Sequence, residues 1–149
     1  MKIGLICSHG GHLTQILEMR EAFAGHTLFY VTYTSQRAQA LADQARVYQI
    51  PNIGVNPIRL LYAAWLGWGI LRRERPDVLV STGSEIALPF FYLAWLWRIP
   101  TIFIESVSRL TSPSQTGRWV YPVASFFFIQ WESLAKVYGP KARYVGRVL

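Results

Sequence analysis

The chain has 149 residues, 52% of them apolar and only 15% charged, with a formal net charge of +7. One domain of this size buries roughly two-thirds of its unfolded surface, so it needs neither metal nor disulfide to hold a core, and the composition excludes disordered, collagen-like and coiled-coil classes. The lone Cys7 excludes an internal disulfide and a cysteine-based zinc site.

In chain order, Ile3–Cys7 is a short apolar run that predicts a buried strand. The turn Ser8-His9-Gly10-Gly11-His12 follows, then a helical pattern through Leu13, Ile16, Leu17 and Phe23. Thr27–Thr32 predicts a second strand. Ser35 is placed to cap a short helix that runs to Asp43, and Val47–Ile50 reads as a third, weaker strand. Asn56-Pro57 is a cap followed by proline at the first helical position, and the helix it opens continues to about Glu74, where Pro76 ends it. Val78–Ser81 is the fourth strand. A helix from Glu85 to Trp97 carries Pro89 in its first turn, where proline is tolerated. Thr101–Ile104 is the fifth strand, residues 105–115 read as loop, and a short helix lies near Trp119. Phe126–Ile129 is the sixth strand, Trp131–Tyr138 a last helix and Arg143–Val145 a last short strand.

Strands that are continuous apolar runs, alternating with helices, predict an α/β fold: a parallel sheet with helices on both faces, as one domain over residues 1–149. Ligands in such folds sit beyond the carboxyl ends of the strands. The polar segments just after strands are therefore the candidate sites: Ser8–His12, Thr32–Arg37, Ser81–Glu85, Glu105–Thr111 and Gln130–Glu132.

In Ser8–His12, Gly10 and Gly11 let a ligand approach the backbone, and the helix start behind them offers free N–H groups to a diphosphate. The spacing is not the dinucleotide fingerprint G-x-G-x-x-G. An empty tight turn is the competing account. His12 is a candidate base for an attacking hydroxyl, or else a cap or hydrogen-bonding group, and His9 can exchange roles with it. In Ser81–Glu85, Gly83 and Ser84 suit a sugar or phosphate, although local pattern favours capping. No G-x-S-x-G is present, so the serine-hydrolase reading fails. After the fifth strand, Glu105 can bind sugar hydroxyls or orient a histidine, with Ser106 beside it and Arg109 available to phosphate. Alternatively Glu105 and Arg109 pair with each other. No metal-ligand cluster is visible and no cofactor is implied.

Twelve of the fifteen basic residues are Arg, with eight basic residues in 1–75 and seven in the remainder. Their spread implies an anionic partner, and together with six tryptophans it favours a membrane surface over a nucleic acid, for which no binding motif appears. The stretch 56–75 is apolar almost all round, with Trp65 and Trp68 in the middle and Arg72, Arg73 and Arg75 at the end. It suits the headgroup boundary of an anionic bilayer, against the alternative of a core helix with a solvated basic end. Trp95 and Trp97 are assigned to the core. The apolar stretches Leu60–Leu71, Ile86–Trp97 and Trp119–Ile129 fall short of the about 17–25 residues a span requires, and the N-terminus does not read as a signal peptide. The expected location is the cytoplasmic face of the membrane, held peripherally.

Three segments together resemble a known family: SHGGH after strand one, STGSE after strand four, and above all IESVSRLTSPSQTGRWVYPVASFFFIQWESL. They resemble the Alg-fourteen-like family and its PssD- and CpsF-like bacterial relatives in exopolysaccharide and capsule assembly. This is the acceptor-side, membrane-recruiting subunit of a two-part N-acetylglucosaminyltransferase. The resemblance covers nearly the whole chain and implies a Rossmann-like domain similar to the N-terminal half of a GT-B glycosyltransferase such as MurG. It implies an inverting sugar transfer from a nucleotide sugar to a polyprenyl-diphosphate-linked saccharide, with a separate nucleotide-sugar-binding subunit (Alg-thirteen-like or PssE-like) as partner. Gly10, Gly11 and His12 match the glycine turn of that fold, Gly83 the second turn, and Glu105 the carboxylate after the fifth strand. His12 is then the first candidate base and Glu105 the second. In contrast to the eukaryotic members, no N-terminal transmembrane helix is expected here, and the segment after Trp131 is the candidate partner face. A noncatalytic membrane scaffold and a stand-alone nucleotide-binding domain are the competing functions.

Overall fold

A computed structural model describes residues 1–148. Seven strands form one all-parallel sheet: β1 (Lys2–Ile6), β2 (Thr27–Tyr33), β3 (Arg46–Ile50), β4 (Val78–Ser81), β5 (Thr101–Ile104), β6 (Phe126–Ile129) and β7 (Ala142–Tyr144). Between them lie α1 (Gly11–Glu18), α2 (Gln36–Leu41), α3 (Pro57–Glu74), α4 (Ala87–Leu96), α5 (Gln115–Val120) and α6 (Ala135–Tyr138), with 3-10 turns at Arg20–Phe23 and Glu132–Leu134. The strand order is β3-β2-β1-β4-β5-β6-β7. The order reverses between β1 and β4, and a crevice opens beyond the carboxyl ends of neighbouring strands at such a switch point.

Alternation along each strand divides the core. Ile6, Phe29, Val31 and Leu79 point to the face covered by Ala63, Ile70 and Leu71 of α3 and Phe90 of α4. Leu5, Tyr30 and Val80 point to the opposite face, where Leu13 and Ile16 of α1 and Leu41 of α2 close the layer. A third cluster joins Phe103, Phe127 and Ile129 to Phe91, Val120 and Leu134. Cys7 is fully buried, and burial pushes its thiol up to about 12, so it is an inert packing residue.

The expected elements are present, most with boundaries shifted by a residue or two, but the first helix, expected to run through Phe23, ends at Glu18, and Arg20–Phe23 forms a separate 3-10 turn. Ser35 caps α2 by accepting from the Ala38 N–H, and Asn56 caps α3 by accepting from the N–H groups of Ile58 and Arg59. Two differences matter. First, α4 starts at Ala87 rather than Glu85, because Gly83 and Ser84 both take positive φ (118° and 74°) and hold the chain out of the helix. Second, the last helix is split into a 3-10 turn and the single turn of α6. The assignment of Trp95 to the core is overturned: it lies 59% exposed, since α4 is apolar all round and only one side of it can face the sheet. Trp97 is half-buried, its ring 4.5 Å from that of Trp68.

Candidate active site

The turns after β1 and β4 meet at the switch point. The His12 Nδ1–H donates to the Thr82 carbonyl at 2.7 Å, and the Thr82 hydroxyl donates back to the His12 carbonyl at 2.7 Å. A carbonyl only accepts, so this bond fixes the proton on Nδ1 and leaves Nε2 bare in the neutral ring. Burial is the largest influence on His12 and lowers its pKa from 6.5; the Thr82 bond and the charges of Glu105 and Glu85 oppose it, and Arg109 adds to it. The net direction is down, so the ring is a neutral acceptor near neutral pH. Gly83 is required here: its φ is +118°, and a Cβ on it would stand 2.8 Å from the imidazole Cε1. The bare glycine is the floor on which the ring lies.

A cleft of about 300 Å³ opens over these turns. Ser8, His12, Ser84, Ser106 and Arg109, all expected site residues, line it together. Gly10 and Gly11 form the exposed shelf at the start of α1, where a Cβ would meet nothing within 4 Å among the described residues. No side chain among the described residues caps α1, so its first N–H groups are available to an anion. Arg37 of α2 stands beside this shelf, 3.2 Å from the Thr14 hydroxyl.

Glu105 is brought next to the cleft but not into its lining. Its side chain is fully buried. One oxygen accepts from the Ser106 N–H at 2.8 Å; the other accepts from the Ser114 N–H and hydroxyl, at 3.1 and 2.9 Å, and from the Tyr138 hydroxyl. The pairing with Arg109 is therefore not formed. Instead Glu105 closes the loop 105–114 on itself and ties it to α6. Gly117 makes room for this cluster, since a Cβ there would collide with the Tyr138 hydroxyl and the Glu105 carboxylate. Gln130 completes the support: its side-chain N–H donates to Gln15 and to the Glu105 carbonyl, and its oxygen accepts from the Val148 N–H.

The cleft also contains groups that the sequence reading passed over. Glu85 lines it, with the Tyr33 hydroxyl donating to one carboxylate oxygen at 2.8 Å and the Ser84 hydroxyl to the other at 2.9 Å. Burial pushes its carboxyl up, but its own N–H, Tyr33 and Ser84 outweigh that, and the net shift is downward. Glu85 is thus an anchored carboxylate in the same wall as His12. It belonged to the quoted turn STGSE; reading it as the first residue of a helix hid it. Leu88 and Trp119 give the cleft an apolar edge. Trp65, Trp68, Arg72 and Arg73 lie outside it, further along α3: from Leu61 to Arg72 the helix climbs about 16 Å. The two tryptophans are 69% and 42% exposed and both arginines face solvent.

Among the described residues no helix is long and apolar enough to cross a membrane, and no three His, Cys, Asp or Glu side chains cluster as a metal site.

The family described as "Oligosaccharide biosynthesis protein Alg14 like" matches residues 45–148. The human UDP-N-acetylglucosamine transferase subunit ALG14 is 26% identical over 95 residues, 60% of this chain and 44% of its own. The UDP-N-acetylglucosamine–N-acetylmuramyl-(pentapeptide) pyrophosphoryl-undecaprenol N-acetylglucosamine transferase of Verminephrobacter eiseniae is 33% identical over 127 residues, 84% of this chain and 32% of its own. Acinetobacter baumannii MurG superposes with a TM-score of 0.78 at 18% identity, over 99% of this chain and 45% of that one. The fold is therefore the Rossmann-like one that MurG carries in part of its chain, and this chain spans less than half the length of each of these three proteins.

Proposed function

The chain belongs to the family of Alg14-like oligosaccharide biosynthesis proteins, and on that basis we propose that it is the acceptor-binding, membrane-recruiting subunit of a bipartite inverting glycosyltransferase. Its substrate is a polyprenyl-diphosphate-linked saccharide. Its partner is a separate nucleotide-sugar-binding subunit, Alg-thirteen-like or PssE-like, that forms the other half of the cleft. It works at the cytoplasmic face of the membrane as a peripheral protein.

The observation that carries this reading is the Nδ1 hydrogen bond of His12 to Thr82 in an open cleft at the switch point. With Nδ1 committed, Nε2 takes the proton of the acceptor hydroxyl as its oxygen attacks the anomeric carbon of the donor sugar. The bond from that carbon to the nucleotide diphosphate breaks, configuration inverts, and the diphosphate leaves with the electron pair. Ser8, Ser106 and Ser84 offer hydrogen bonds to sugar hydroxyls. Gly10, Gly11 and the α1 start, with Arg109, favour diphosphate charge. Glu105 acts through others, holding Ser106 and the 105–114 loop at the rim.

The test is reconstitution of the chain with a co-expressed partner subunit, vesicles bearing the lipid-linked acceptor, and labelled nucleotide sugars, each omitted in turn. Transfer requiring both chains and lost in His12→Asn supports the reading. Transfer by this chain alone defeats the half-enzyme. Transfer that needs both chains but is unchanged by His12→Asn makes the chain a scaffold.

A further inference from the structure

The cleft does not end at its apolar edge. Leu88 and Trp119, which line it, also line a second hollow of about 490 Å³ formed with Leu60, Leu61 and Ala64 of α3 and Tyr92 of α4. The Tyr92 hydroxyl donates to the Trp119 carbonyl at 2.9 Å, which locks α4 to α5 and fixes that wall. A polar hollow carrying Arg109 and an apolar hollow thus share two side chains and lie side by side. Leu61 is 72% exposed and Trp119 44%, so the apolar hollow presents surface that this chain leaves uncovered.

We propose that this groove seats the first isoprene units of the acceptor, with the diphosphate in the cleft and the prenyl tail along α3. The inference rests on the lipid-linked acceptor of the proposed function, and on the pyrophosphoryl-undecaprenol in the name of the Verminephrobacter relative. Shape selects a single chain over a bilayer. A shallow groove lined by α3, α4 and Trp119 of α5 has room for one tail, whereas a bilayer is met by the outward side of α3, where Trp65 and Trp68 stand. The groove lies at the Pro57–Ala64 end of that helix, between the cleft and those tryptophans, so the tail has an apolar path from head to membrane. Apolar pockets of this size hold drug-sized ligands.

Titration calorimetry on the isolated chain tests this with three soluble probes: farnesyl diphosphate, dodecyl diphosphate and inorganic diphosphate. Farnesyl diphosphate is expected to bind at least about 10-fold more tightly than inorganic diphosphate, the gain expected from burying a few methylene equivalents. Ala64→Trp, which fills the groove, and Leu61→Asn, which makes its exposed edge polar, are each expected to cut that excess to below about twofold while inorganic diphosphate binds as before. Trp65→Ala leaves the excess intact. An excess that survives both groove variants overturns the proposal, as does its absence in the parent chain. Dodecyl diphosphate binding as tightly as the farnesyl compound also overturns it, because the groove is then a general apolar surface. These measurements need no partner and no transfer, so failure of the glycosyltransferase reading would show in the reconstituted assay and leave them to stand separately.

Discussion

His12 is decided by three contacts: the Thr82 carbonyl on Nδ1, the bare Gly83 beneath the ring, and the charges of Glu105, Glu85 and Arg109 around it. A base must be neutral to accept a proton. Because burial lowers its pKa from 6.5, kcat/KM of the reconstituted enzyme is expected to hold below pH 6.5 and fall only on a more acidic limb. Glu85→Gln removes a charge that favours the imidazolium and moves that limb further to acid; Arg109→Gln moves it the other way. A limb that is indifferent to both would remove His12 from the base role. His12→Asn is expected to lower kcat by about 10²-fold or more. Gly83→Ala forces a Cβ to 2.8 Å from the imidazole at φ +118°, so we expect a loss of about 1–3 kcal/mol in urea unfolding, and a larger proportional loss of transfer. An alanine variant with native stability and activity would contradict the role given to that glycine.

Among the elements, α3 combines a locally determined start with an end held by distant residues. Its start is set by Asn56, whose side chain accepts two backbone N–H groups, and by Pro57 at the first position. Asn56→Ala is expected to cost about 0.5–2 kcal/mol, read as a lower urea midpoint at unchanged slope. At its last residue, Glu74 is buried among Arg46 at 2.8 Å, Lys2 at 3.2 Å and the Tyr48 hydroxyl at 2.5 Å. Burial raises its carboxyl, but those three partners more than reverse this and bring it from 4.5 to about 2. A carboxylate whose pKa falls on folding contributes stability above its unfolded value and loses it as pH falls through the folded one. Stability is therefore expected to decline between about pH 4.5 and 2, and Glu74→Gln should flatten that segment of the profile. An unchanged acid profile in the variant would show that other groups set it. Helix α4 shows how an element can mislead: its apolar residues occupy every side, so Trp95 reads as core although the sheet and α3 cover only part of its surface.

On the scale of the whole molecule, the exposed Trp65 and Trp68 and the solvent-facing Arg72 and Arg73 make one side of α3 suited to an anionic surface. Replacing both arginines with Gln is expected to weaken partition onto phosphatidylserine vesicles by about 2 kcal/mol at low salt, with the difference shrinking at high salt. Trp65→Ala with Trp68→Ala should weaken it at every salt concentration. Vesicle sedimentation measures both, and partition unaffected by either pair would place the membrane contact elsewhere. The parallel sheet brings the chemistry together: the β3-β2-β1-β4 order puts the turns after β1 and β4 side by side, so residues 70 apart in sequence hydrogen-bond at the site. The sequence by itself determined β1, β2, β4, β5 and β6, since each is a short run dominated by apolar residues and bounded by polar turns, while the edge strands β3 and β7 are more polar and read more weakly. It also determined the start of α3 and the turns that hold Ser8, Gly10, Gly11, Gly83, Ser84, Ser106 and Arg109. Those features depend on periodicity and capping within a few residues. Only the tertiary structure decided the His12 tautomer, the closure of Glu105 by Ser114 and Tyr138, the anchoring of Glu85 by Tyr33, and the exposure of Trp95. Each of these depends on which distant group arrives opposite a side chain, or on how much of a helix its neighbours cover.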